Sequence, residues 1–148
     1  MHFSQTILQI HRGFAYAEFV CILLYLIALF GVMFSYSGKI TGFLRKISVF
    51  TMVFFHLQFL IGIVMLLGTS PFLDIIKNIG MGEVMKIKSL RFAYIEHPFS
   101  MFIGAVLVTM VNKKIKTKPR LSMGVFFLAI LAVLLFFYAL PFSKLVSP

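Results

Sequence analysis

Acidic side chains are scarce in this sequence. Only four occur among 148 residues, and all charged residues together make up 12% of the chain, whereas hydrophobic residues make up 61%. A soluble domain carries about 25% charged residues because its surface faces water. So small a chain has more apolar surface than it can bury against itself. The composition therefore excludes an ordinary soluble domain and predicts that lipid covers the rest.

Tryptophan is absent, and cysteine occurs only at Cys21. Most of the aromatic residues are Phe, nineteen in number, which suits the hydrocarbon core of a membrane and leaves interfacial anchoring to Tyr. A single cysteine excludes an internal disulfide, and we interpret Cys21 as a small packing residue. Because the sequence has no CxxCH motif, a covalently attached c-type haem is not indicated.

The motifs of several soluble enzyme classes are also missing. No GxSxG, Walker A or HExxH motif is present, so hydrolase and phosphate-transfer chemistry is not expected. The formal net charge is +10, but the basic residues lie in short segments between apolar runs, as membrane topology demands. We therefore expect no nucleic-acid partner. No basic segment precedes the first apolar run, so we expect no signal peptide.

Four apolar segments are present, at about residues 14–36, 47–67, 90–111 and 123–140. Each is near the roughly 20 residues that a helix needs to cross about 30 Å of hydrocarbon, and none alternates as a barrel strand would. The sequence therefore predicts an all-α fold, an integral membrane four-helix bundle in which residues 1–148 form a single transmembrane domain. The long second loop, residues 68–90, is expected to hold two short amphipathic turns around a bend at residues 78–82.

The charges of the connecting loops predict the orientation. The first and third loops carry basic residues and no acid, namely Lys39, Arg45, Lys46, Lys113, Lys114, Lys116, Lys118 and Arg120. The other side carries charges of both signs, namely Arg12, Lys77, Lys86, Lys88, Arg91 and Lys144 with Asp74, Glu83 and Glu96. By the positive-inside rule, the first and third loops are cytoplasmic, and both termini lie on the outer, periplasmic side of a bacterial inner membrane.

Histidines in the apolar segments are the main functional candidates, because ionisable groups inside a membrane are costly. His56 lies ten residues after Lys46, about 15 Å along a helix, which places it near the membrane centre. His97 lies 16 residues before Lys113, about 24 Å along its helix, in the outer half. Two imidazoles on facing helices suit a b-type haem. We predict that His56 and His97 are its metal ligands, with His11 as the alternative to either.

Neighbouring residues fit this prediction. Gly62 and Gly104 leave room for a macrocycle beside the histidines, and Arg91 is a suitable partner for haem propionates. Glu96 either orients His97 from behind or pairs with Arg91. The proline that follows His97 either lies in the first turn of the helix or kinks a helix that starts earlier.

Three segments together resemble a family of small bacterial four-helix membrane proteins named cytochrome b. They are His11, the run 56–62 (HLQFLIG) and the run 91–98 (RFAYIEHP). The resemblance covers most of the chain, from about His11 to Pro141. It implies haem binding and electron transfer within the membrane. One haem is expected, since three membrane histidines supply one pair and one spare.

The same residues allow other functions. A bundle this short is also typical of a non-enzymatic small subunit that packs against a larger membrane complex or forms a homo-oligomer. Intramembrane His and Glu residues also mark proton or metal transport components, although the nine Met residues are scattered and form no MxxM cluster. Quinone is a second candidate cofactor, for which His11, Glu18 and Arg91 are the polar groups to test.

Overall fold

The structure, a computed structural model, describes residues 2–140. Within this range the elements are helices joined by short turns, apart from one isolated bridge between Lys39 and Arg120. The predicted all-α class is confirmed. Two details of the sequence analysis lie outside the described residues, namely the outer-side Lys144 and the end of the family resemblance at Pro141.

Five helices follow one another along the described chain. They are α1 His2–Met33, α2 Gly42–Gly68, α3 Phe72–Lys86, α4 Lys88–Thr117 and α5 Met123–Ala139. By length and composition, α1, α2 and α4 are able to cross a membrane, whereas α5 is a shorter apolar helix. Three of the four predicted spans therefore meet this criterion, and the fourth corresponds to α5.

The helices extend beyond the apolar segments that predicted them. α1 starts well before residue 14, and α4 continues past residue 111 to Thr117. Hydropathy marks the part of a helix that suits hydrocarbon, whereas a helix ends where its terminal backbone groups find caps. The hydroxyl of Thr41 accepts a hydrogen bond from the Leu44 amide at the start of α2, and Ser122 caps α5 in the same way.

The second loop is mostly helical. Two helical segments, joined by a kink at Gly80, make up α3. Gly80 has φ 78° and ψ 156°, a conformation that glycine adopts without the steric penalty of a Cβ atom. The bend predicted at residues 78–82 is therefore present, and the helical segments on its two sides are longer than the expected turns. Asp74 in the first turn of α3 and Lys86 in its last turn complement the helix dipole.

α4 contains a π-helical turn, Phe92–Glu96, directly before His97. Pro98 has no amide hydrogen, so the carbonyl four residues earlier loses its usual donor. The His97 amide donates to the Phe92 carbonyl, five residues back, which widens the helix locally. α4 therefore continues through Pro98. Of the two roles expected for this proline, the structure shows a distortion within a helix that starts earlier, and not the first turn of a new helix.

The helices pack in chain order, α1 on α2, α2 on α4, and α4 on α5. Gly104, Ala105 and Ala132 are buried between α4 and its neighbours, and helices in membranes approach closely at small residues of this kind. α1 also reaches α5 through aromatic side chains, with 5.2 Å between the ring centroids of Phe30 and Phe126. The main cluster of buried hydrophobic residues draws on α1, α2, α4 and α5, and Val84, the buried residue of α3, lies outside it.

The first and third loops meet at one end of the molecule. The Ile40 amide donates to the Pro119 carbonyl, and the Leu121 amide donates to the Gly38 carbonyl. Each of these hydrogen bonds has a nitrogen–oxygen distance of 3.0 Å. Arg45 donates to three carbonyl groups at the end of α4. The two basic loops that the sequence assigns to one side of the membrane therefore lie side by side.

Candidate cofactor cavity

A cavity of about 740 Å³ opens between α1, α2, α4 and α5, at the end of the molecule opposite the basic loops. Pockets of this size hold cofactors and other small molecules. The large apolar residues of its wall include Phe59, Met65, Leu66, Phe92, Met101 and Phe136. Its polar residues are His11, Arg12, Tyr16, Gln58, Ser70, Ser89, Tyr94, His97 and Tyr138. The cavity is therefore an apolar chamber with a small set of polar groups.

Two histidines approach each other in this cavity. The rings of His11 on α1 and His97 on α4 have centroids 6.2 Å apart and planes inclined by 66°, and both residues are partly buried. Two imidazoles that hold one metal ion from opposite sides through bonds of about 2 Å have ring centroids roughly 6 Å apart. The observed separation is compatible with such a pair, and it is also that of an edge-to-face contact between two aromatic rings.

His97 is oriented by a backbone carbonyl. Its Nδ1 lies 2.7 Å from the carbonyl oxygen of Ala139 in the last turn of α5, where carbonyl groups lack helical donors. Because a carbonyl only accepts, Nδ1 carries the proton in this bond. The neutral imidazole then presents an unprotonated Nε2, which is the form that binds metals.

His11 is held by α2. The side-chain amide of Gln58 donates to the His11 carbonyl over 3.1 Å and lies 3.3 Å from His11 Nε2. The Nδ1 of His11 is buried and has no hydrogen-bond partner among the described residues, which is unusual for a buried polar atom. Gly62 lines the same wall, and a Cβ atom there would lie 3.6 Å from His11 Cε1. Gly62 therefore leaves open space beside the His11 ring.

Arg91 belongs to a separate polar cluster at the rim. Its Nε donates to Glu96 Oε1 over 2.7 Å, and a terminal nitrogen donates to the Met85 carbonyl. The other oxygen of Glu96 accepts from the Tyr138 hydroxyl over 2.7 Å. Of the two roles expected for Glu96, the structure has the pairing with Arg91, while the Ala139 carbonyl orients the neighbouring histidine. Arg91 is not among the residues that line the cavity; Arg12 is.

His56 lies away from the cavity. It is exposed on the outside of α2, its Nδ1 is 2.8 Å from the Met52 carbonyl, and its Nε2 is 3.3 Å from the Thr109 hydroxyl. The structure therefore does not bring together the predicted pair of His56 and His97. It brings His97 together with His11, the alternative ligand. Sequence depth favoured His56, but the depth of a residue does not say which side of the helix it occupies.

Gly104 also lies outside the cavity. A Cβ atom at this position would be 2.9 Å from Phe55 Cε1, so the space beside Gly104 is filled by an aromatic ring. The structure thus gives Gly104 a packing role between α2 and α4 instead of the predicted room for a macrocycle. The ring of Phe55 extends to Phe136, a residue of the cavity wall.

A second group of polar residues is buried between α1 and α2. Glu18, Tyr25 and Thr51 are at most 1% exposed, and their side-chain oxygens have no hydrogen-bond partner among residues 2–140. Glu18 follows His11 by seven residues and precedes Tyr25 by seven. His11, Glu18 and Tyr25 therefore share one face of α1. This spacing is readable in the sequence. Glu18 was one of the polar groups to test for quinone, and it does not line the cavity.

Comparison with known proteins finds no matching family model, no matching curated protein and no matching solved structure.

Proposed function

We propose that this chain is a membrane-embedded b-type haem protein that transfers electrons within a bacterial cytoplasmic membrane. The observation that carries the proposal is the approach of His11 and His97 in one apolar cavity, with 6.2 Å between their ring centroids. Imidazole is a good iron ligand, and these two side chains would hold the iron of a haem. His11, the alternative ligand of the sequence analysis, therefore replaces His56 in the proposed pair.

The surroundings favour haem over a bare metal ion. Across the described residues, no group of three His, Cys, Asp or Glu side chains converges to hold a metal ion. A bare ion would therefore have only two protein ligands here, which is fewer than structural and catalytic metal sites supply. A haem carries most of its iron ligands in its own ring and would need only one or two side chains from the protein, which His11 and His97 would supply.

The residues of the cavity have distinct roles in this proposal. The Ala139 carbonyl keeps the proton of His97 on Nδ1, and the side-chain amide of Gln58 holds the backbone of His11 through the His11 carbonyl. The apolar wall excludes water, and the guanidinium of Arg12 is the cavity cation suited to a propionate. Bound haem would supply a one-electron couple, tuned by these ligands and by burial.

We further propose that α1, α2, α4 and α5 cross the membrane as a four-helix bundle with both termini on the outer side. α5 has 17 residues, or about 26 Å at helical rise, which is close to the thickness of the hydrocarbon. The adjacent basic loops support a common cytoplasmic side by the positive-inside rule. The haem cavity then faces the outer half of the membrane.

Visible spectroscopy of the purified protein tests this function. The protein is extracted in mild detergent, reduced-minus-oxidised spectra are recorded, and a pyridine haemochrome assay gives the stoichiometry. We expect one b-type haem per chain. His11→Ala and His97→Ala should each lose the spectrum of bis-histidine ligation. His56→Ala is the matched control, because it removes the same side chain outside the cavity, and it should retain that spectrum.

Two outcomes would overturn the proposal. Absence of haem from folded protein would remove the cytochrome function and favour a structural subunit of a larger membrane complex. Loss of the spectrum in His56→Ala, with retention in His11→Ala, would restore the ligand pair first expected from the sequence.

A further inference from the structure

A second opening lies at the end of the molecule where the basic loops meet. It is a groove of about 660 Å³ between the end of α4 and the start of α5. Three basic side chains, Lys114, Lys118 and Arg120, line its mouth. We refer to them as the basic mouth.

Apolar side chains continue the groove toward the middle of the bundle. Met110 of α4 and Phe127 and Leu131 of α5 line this part, and we refer to them as the apolar floor. Met110 precedes Lys114 by one helical turn, about 6 Å deeper along α4. Each floor side chain is between 46% and 61% exposed, so the floor is open to a neighbouring molecule. From the loop end toward the middle of the bundle, the groove is therefore lined first by basic side chains and then by apolar ones.

We propose that this groove binds one anionic phospholipid, with its phosphate at the basic mouth and one acyl chain along the apolar floor. A free phosphate ion would use the mouth alone and leave the floor uncovered. The proposal rests on the membrane location proposed above and does not depend on haem.

The positive charge of the mouth is not neutralised by the protein. The described chain contains two ion pairs, Lys86 with Glu83 and Arg91 with Glu96, and neither involves the mouth. The first and third loops contain no acid. Basic pockets beside transmembrane helices attract anionic headgroups for this reason, with a favourable contribution from each Lys or Arg near the membrane surface.

The mouth is also held in place by backbone contacts. The guanidinium of Arg45 donates to the carbonyls of Ile115, Lys116 and Lys118 at the end of α4. Arg120 forms an antiparallel bridge with Lys39. The loop is therefore fixed from two sides before any lipid binds, which lowers the entropic cost of binding.

Quenching of a single tryptophan by brominated lipid tests the proposal. The chain has no Trp of its own, so Phe127→Trp places the only indole on the apolar floor. Phe50→Trp is the matched control, because Phe50 is equally exposed, 59% against 61%, and lies on α2 one turn from the basic Lys46. Both variants are reconstituted in phosphatidylcholine vesicles with brominated phosphatidylglycerol or brominated phosphatidylcholine of the same chain length.

We expect the indole of the Phe127→Trp variant to prefer brominated phosphatidylglycerol by about fivefold or more, as one favourable lysine contact at a membrane surface would supply. Phe50→Trp should show a weaker preference. Replacing the basic mouth with glutamine (K114Q, K118Q and R120Q together) should lower the preference at residue 127 to that of the control. Replacing Lys39, Lys46 and Lys113 with glutamine removes the same charge outside the groove and should leave it unchanged.

Two further variants secure the test. Leu131→Trp moves the reporter along the same floor and replaces Phe127→Trp if that variant fails to fold. Gly124→Leu fills the groove without removing charge, because a Cβ atom there meets nothing within 4 Å, and it should abolish the preference. Equal preference at residues 127 and 50, or equal losses in the two glutamine triples, would mean diffuse enrichment of anionic lipid and would overturn the proposal.

Discussion

Gly104 on α4 lies directly against the aromatic ring of Phe55 on α2. A Cβ atom at Gly104 would be 2.9 Å from Phe55 Cε1 and 3.4 Å from Cδ1, and the first distance is shorter than a van der Waals contact. Phe55 is fully buried and packs on Phe136, with 5.7 Å between ring centroids, so its ring has little room to move. We therefore expect Gly104→Ala to overpack this contact at a cost of about 1–3 kcal/mol.

Gly13 provides a matched control for this substitution. It also lies within a helix, but a Cβ atom at Gly13 would meet nothing within 4 Å. Both alanine variants gain helix propensity of up to about 1 kcal/mol, and this gain cancels when they are compared. The Gly104→Ala protein should therefore be less stable than the Gly13→Ala protein by about 1–3 kcal/mol.

Unfolding in mixed micelles of mild detergent and SDS, followed by circular dichroism, measures the difference. The Gly104→Ala protein should unfold at a lower SDS fraction than the Gly13→Ala protein, and adding Phe55→Leu should recover part of the loss by freeing space. Equal stabilities of the two alanine variants would refute a packing role for Gly104. Loss of haem from Gly104→Ala at unchanged stability would instead return Gly104 to the cofactor site.

Three further predictions concern the other contacts. Arg45→Gln should lower the free energy of unfolding by about 1–3 kcal/mol in the same assay, because three carbonyls at the end of α4 lose a charged donor; a loss below experimental error would contradict this. If the proposed haem is bound, Gln58→Leu should weaken its retention about tenfold or more, because the ligand His11 loses the amide that holds its backbone. Transfer of the haem to apomyoglobin at an unchanged rate would contradict this. In a Cys21→Ser background, an impermeant maleimide should label Lys77→Cys in intact cells and Ser37→Cys only after permeabilisation. The reverse pattern would invert the proposed topology.

The helical class and the approximate positions of the long helices follow from hydropathy alone. A continuous apolar run cannot leave backbone groups unpaired in lipid, so it must be helical. The same rule does not reach residues outside the hydrocarbon, where caps such as Thr41 decide the start of a helix. The helical segments of α3 are longer than predicted for this reason, since the composition of α3 is mixed and only the break at Gly80 carries a distinct local signal.

The cavity was predicted less completely than the helices. The sequence identifies His11, His97 and Gly62 as candidates, and all three line the cavity. It gives no indication that the Ala139 carbonyl orients His97, because that contact joins residues 42 positions apart through the backbone of another helix. Similarly, the π-helical turn before Pro98 changes the rotation of His97 about α4, and hydropathy contains no trace of such a change.

The separation of His56 from the cavity has a specific physical origin. In a soluble protein the polar face of a helix marks its outside, so the rotation of the helix can be read from its pattern. A helix in lipid is apolar on both its buried and its lipid-facing side, so its apolar residues do not show how it is rotated. Its polar residues do, because Ser48, Thr51 and Gln58 are spaced to share one face of α2, and all three are buried. His56 lies about 140° from Thr51 and about 160° from Gln58 at 100° per residue, so the polar face, and not membrane depth, is the sequence feature that separates His56 from the cavity.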